Sequence, residues 1–140
     1  MANRSFNRLQ ALDKEVKFLF LTATIGSGGD PTLDENKSVG IKSISDTAVG
    51  EYDITLGTPG GDADKYSSLL FMQCFLTDSA AISTGGGVSF QIEAETVCTD
   101  GVIKLFALDK DGAIAEIRSG DVLQIMIVVK NSGQPGVGAS

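Results

Sequence analysis

An all-β domain is what this sequence predicts: a single antiparallel β-sandwich, jelly-roll-like, with an N-terminal arm. Three observations carry that expectation. Apolar and polar residues alternate in successive stretches between positions 16 and 130, the period of a strand with one face inward. Turn formers separate these stretches about every ten residues, the spacing of sandwiches and barrels rather than of βαβ units. Seventeen glycines against three prolines suit many tight turns.

Taken in order, residues 1–15 have weak periodicity. Phe6, Leu9 and Leu12 recur every third position, which fits a short helix or a packed arm. The first strand is expected over Val16–Ile25. Val16, Phe18 and Phe20 point one way and Leu19, Leu21 and Ala23 the other. Both faces are apolar, so the strand is central or lies against another subunit. Gly26-Ser-Gly-Gly-Asp-Pro ends it, and 32–38 reads as loop. Strands at 39–45 and 51–56 form a hairpin around 46–50, with Tyr52, Ile54 and Leu56 inward. Residues 57–62 are loop, with a helical turn expected near 62–66. A long strand at 66–77 is again apolar on both faces. After a Gly-rich connection at 78–87, the stretch 88–99 puts Val88, Phe90, Ile92 and Ala94 inward and Ser89, Gln91, Glu93 and Glu95 outward. Asp100-Gly101 reads as a two-residue hairpin turn leading into 102–108. Asp109-Lys-Asp-Gly112 turns the chain into the short run 113–117, and 122–130 is the closing strand. The domain is therefore expected at 16–130, with an arm at 1–15 and a flexible Gly-rich tail at 131–140.

A chain of 140 residues buries roughly two thirds of its unfolded surface, enough for one core without staples. Eighteen acidic and eleven basic residues give a net charge of −7, which repels phosphate backbones and argues against nucleic acid. Residues 1–17 carry Arg4, Arg8, Lys14 and Lys17 against Asp13 and Glu15, a net +2, so the remainder carries −9. This is a basic arm suited to an acidic surface, or a frayed terminus. No apolar run approaches the ~18 residues that span a bilayer, so no membrane partner is expected, and the charged N-terminal residues do not read as a signal peptide. Cys74 and Cys98 lie in apolar strand patterns and read as buried reduced thiols, with a disulfide between neighbouring strands as the alternative.

Chemistry is sparse. The chain has no histidine, which removes Ser-His-Asp and Cys-His triads and most transition-metal sites. Gly26-Ser-Gly-Gly lacks the Gly-Lys-Ser/Thr ending of a phosphate loop. Asp109-Lys-Asp-Gly opens like a calcium loop but lacks the later ligands, so it reads as a hairpin turn; a surface cation shared with Asp100 is the alternative. Glu93 and Glu95 on one strand face read as a solvated face rather than a glycosidase pair, since there is no tryptophan for a sugar platform. Neither catalytic residues nor a cofactor or metal is expected.

The order Ile25-Gly26, Gly29-Asp-Pro-Thr-Leu33, Ser38-Val-Gly-Ile41, Gly50-Glu-Tyr-Asp-Ile-Thr-Leu56 and Asp64-Lys-Tyr-Ser-Ser-Leu-Leu70 resembles a family of small tailed-phage head decoration, or cement, proteins. The likeness covers residues 6–76; the stretch 57–63 before Asp64 departs from the shorter linkage of the family. The resemblance implies a structural virion protein made in the bacterial cytoplasm and carried on the outer capsid surface. It would bind the major capsid protein lattice and associate with itself, as a homotrimer or else a dimer. On this reading Arg4, Phe6, Arg8, Leu9, Lys14, Lys17, Asp30 and Pro31 contact the capsid, and Phe18, Phe20, Leu69, Phe71 and Phe75 form core or self-association surface. The alternatives are another virion part, such as a tail or fibre adaptor, and a carbohydrate-binding β-sandwich.

Overall fold

A computed structural model describes residues 16–77 and 88–131. The expected arm at 1–15, the connection at 78–87 and most of the tail lie outside the described residues. The chain is all-β, with two antiparallel four-stranded sheets facing each other. The strands are β1 (Val16–Ile25), β2 (Pro31–Leu33), β3 (Ile41–Ala48), β4 (Glu51–Leu56), β5 (Ser68–Thr77), β6 (Ser89–Glu95), β7 (Val102–Leu108) and β8 (Val122–Lys130). One sheet has the order β2-β1-β8-β5 and the other β3-β4-β7-β6.

Alternation sets the core. Leu19, Leu21, Ala23 and Ile25 of β1 meet Leu123, Ile125, Ile127 and Val129 of β8 as inner residues of the first sheet. Tyr52, Ile54 and Leu56 of β4 and Ile103, Leu105 and Ala107 of β7 supply the second. All are buried, and among them Tyr52, Ile54 and Leu56 are those the alternation places inward. Burying each such side chain is worth roughly 1.5–3 kcal/mol, offset by the entropy of ordering the chain.

Several local expectations are corrected. β2 is a short strand where loop was expected, held against Ala23–Ile25 by the register Ala23↔Leu33 to Ile25↔Pro31. The connection from β6 to β7 is not a two-residue turn. It spans 96–101, because the buried Val97 is drawn into the core while the Asp100 and Gly101 amides both bond the Thr96 carbonyl. Gly101 sits there at φ +71, and a Cβ would collide with the Asp64 carbonyl oxygen, so only glycine fits. Cys98 rides on this loop, exposed rather than buried in a strand, while Cys74 is half-buried; both thiols are free. No helical turn forms near 62–66, where Gly57 instead bridges Ala63. Residues 113–117 form no strand: Ile114 makes a single bridge to Leu108, and Ile117 drops into the core.

A register shift between Ile92 and Ala94 overturns the second half of the expected β6 pattern. Past the bulge, Ala94 pairs with outward Lys104 and Glu95 with inward Ile103. Glu93 and Glu95 therefore do not share a face. The Glu95 carboxylate instead accepts the Val97 amide at 2.9 Å. Val88 and Ile92, expected inward and buried, are each 37% exposed. β6 is an edge strand, and the described residues leave the sandwich open beside it.

Candidate functional site

The two sheets present different outer surfaces. On the β3-β4-β7-β6 sheet, Glu51, Asp53, Lys104 and Gln91 face solvent, and Lys104 reaches Asp53 at 3.7 Å. Such an exposed pair contributes little, but it marks a solvated surface.

The outer face of β2-β1-β8-β5 carries five rows across three strands, from Val16–Lys130–Ser68 to Thr24–Val122–Thr77, and the middle three hold its aromatic residues. These three are Phe18–Val128–Phe71, Phe20–Met126–Gln73 and Thr22–Gln124–Phe75. None of these side chains is charged. Phe18 is 52% exposed, Phe20 43%, Phe71 49% and Phe75 59%. Val128 is buried beneath its two phenylalanine neighbours although it lies on the outer face. Val39 extends the Phe20 row: it bridges Phe20 through amide–carbonyl bonds of 2.7 and 3.0 Å and is itself exposed. A shallow depression of about 290 Å³ lies between Phe20 and Phe75, with Lys37 on its rim. Half-exposed phenylalanines leave about 100 Å² each, so the four together show on the order of 400 Å² of aromatic surface. That matches the largest apolar patches of soluble proteins, which mark interaction sites.

Beside this face runs the open seam between the edge strands β5 and β6. Its cavity of about 470 Å³ is lined by Met72, Cys74, Val88, Phe90, Ile92 and Leu105, among others. Burial pushes the Cys74 thiol from 9.0 up to about 12, so it stays protonated and unreactive at neutral pH. A smaller cavity of about 260 Å³ continues the seam past Phe90 to Glu116, Arg118 and buried Asp121.

Of the residues the resemblance singled out, Arg4, Phe6, Arg8, Leu9 and Lys14 lie outside the described residues. Lys17 is exposed at the start of β1, its Nζ 6.0 Å from the Tyr66 ring centroid, a cation–π distance. Asp30 is exposed and Pro31 buried. Leu69 packs on the core, whereas Phe18, Phe20, Phe71 and Phe75 gather on the three uncharged rows of the outer face. Sequence reasoning passed over Met126, Val128 and Val39 as parts of that face. The signal for the first two was in the 122–130 stretch, where alternate residues on both faces are apolar.

The possible cation ligand Asp109 is engaged otherwise. Its Oδ1 accepts the amides of Asp111 at 2.8 Å and Ala113 at 3.0 Å, which builds the turn. Tyr52 is buried between the sheets. Its hydroxyl donates to the Gly29 carbonyl at 3.2 Å, and burial, then the nearby Asp46 charge, pushes the phenol from 10.0 up to about 12. Among the described residues no group of three or more potential ligands is placed to hold a metal ion, and no helix is long and apolar enough to cross a membrane. No family model, curated protein or solved structure matches this chain.

Proposed function

We propose that this protein is a structural virion component, a head decoration protein of a tailed phage. It works by adhesion and transforms no substrate. The observation that carries the reading is the run of three uncharged rows on the outer face of β2-β1-β8-β5, which holds four half-exposed phenylalanines. Surfaces of that size are often functional contact sites. The likeness of residues 6–76 to cement proteins gives the class of partner. The basic residues Arg4, Arg8, Lys14 and Lys17 suit an acidic shell, and exposed Asp30 adds a second contact. Many weak contacts on a repeating lattice add through multivalency.

Purified protein is mixed with undecorated heads and the bound fraction measured after sedimentation. Saturable binding at a fixed ratio to the major capsid protein is expected. Removing residues 2–15 is expected to weaken it. Heads that bind none of the protein at saturating concentration refute the assignment, and label found on tails instead of heads moves it to a tail or fibre adaptor.

A further inference from the structure

We propose that two copies of this chain pair edge to edge through β5, antiparallel across a two-fold axis centred on Gln73, so that their β2-β1-β8-β5 sheets join into one.

An edge strand exposes a row of unpaired backbone amides and carbonyls, and proteins guard such edges with short length, proline, charge or bulges. Among the described residues the two sheets have four edges, and three of them are guarded. β2 is three residues long and begins with Pro31. β3 has Lys42 and Asp46 and two register shifts. β6 has Glu93 and Glu95 and one shift. β5 is ten residues long, Ser-Leu-Leu-Phe-Met-Gln-Cys-Phe-Leu-Thr, with no charge and no proline. Its one shift falls between Leu69 and Phe71, leaving 71–77 regular. Among the described residues it is paired on one side only, with β8.

The sequence of β5 identifies the occupant. Phe71-Met72-Gln73-Cys74-Phe75 reads nearly the same in both directions about Gln73. An antiparallel two-fold at that residue sets each Phe71 against Phe75 of the second copy, each Met72 against Cys74, and Gln73 against Gln73. Aromatic pairs directly opposite across strands are among the stabilising ones, and an isologous contact requires such self-complementarity. Charge points the same way. Each copy carries −7, so like copies meet with least repulsion where no charge stands, and β5 is uncharged on both faces. In the pair the aromatic rows run on from one copy to the next. The two open seams, each lined by Met72 and Cys74, face each other across the axis.

This inference does not rest on the capsid reading, and purified protein tests it alone. Residues opposite each other in antiparallel strands have Cα atoms about 4.5–5.5 Å apart, within the roughly 4.4–6.8 Å that a disulfide accepts. Gln73→Cys is made in a Cys74→Ser, Cys98→Ser background and oxidised under mild conditions. A covalent dimer on a non-reducing gel is expected for it, and none for Gln91→Cys on the charged sheet face. Sedimentation equilibrium is expected to give twice the chain mass for the native protein and a single-chain mass for Phe75→Lys. Phe75 is 59% exposed, so its replacement leaves the circular dichroism spectrum unchanged. A native protein that stays single-chain at every concentration overturns the proposal. So does a trimer, an oligomer in which Gln73→Cys fails to cross-link, or equal cross-linking of Gln91→Cys.

Discussion

Replacing Tyr52 with phenylalanine tests the core and its electrostatics together. The side chain is 1% exposed, and its hydroxyl donates a hydrogen bond to the Gly29 carbonyl. Deleting that bond is expected to cost about 1 kcal/mol at neutral pH. The alkaline range reverses the order. The folded phenol ionises at about 12 and not at its ordinary 10.0, through burial first and the Asp46 charge second. An unfolded chain releases that proton earlier, so the stabilisation is fully present below about pH 10 and is lost as pH rises toward 12, by a few kcal/mol in total. The phenylalanine variant has no such proton to lose. Its stability is therefore expected to start below the native protein, cross it between about pH 10 and 12 and exceed it above. Cys74 and Tyr66, whose pKa values are also raised by burial, titrate in both proteins and cancel in the difference. Urea unfolding of the two proteins, compared from about pH 8 to 12, reads the effect as a difference of extrapolated stabilities. Parallel curves with no crossing refute the reasoning, because they require Tyr52 to ionise alike in the folded and unfolded chain.

Two further outcomes follow from burial alone. Ile127 is fully buried on β8, between β1 and β5, so Ile127→Ala is expected to cost about 2–5 kcal/mol; a urea midpoint unchanged at constant slope contradicts the assigned core. Exposed Cys98 is expected to react promptly with a thiol reagent at neutral pH, while Cys74, its thiol held protonated, reacts only after unfolding. Equal rates for both in the folded protein contradict the placement of the Cys98 loop.

Much of the fold was legible in local pattern. Val16–Ile25, Val102–Leu108 and Val122–Lys130 match observed strands to the residue, because each is a strand-length, largely apolar run between clear turn signals. β2 escaped because three residues hold too little pattern, and its pairing depends on where Ala23–Ile25 lies. The 96–101 loop was misread because Asp-Gly is a strong turn signal in isolation. The burial of Val97, a tertiary event, lengthens the connection. The β6 bulge has the same character: alternation runs on through Glu95 in the sequence, and only the pairing with β7 shows the phase reversed.

The candidate surface was half legible for a related reason. The two-sided apolar patterns of β1 and β5 mark strands in need of a second cover, but periodicity does not say where the cover comes from. β1 lies between β2 and β8, so its uncovered part is a face. β5 lies at the end of the same sheet, so its uncovered part is a face and an edge at once. That distinction follows from strand order, which long-range registers such as Phe71↔Val128↔Phe18 decide. Once the order is known, the missing charge in Ser68–Thr77 takes on meaning. The same ten residues in the centre of a sheet would be ordinary core sequence; at the rim they are an invitation to another strand.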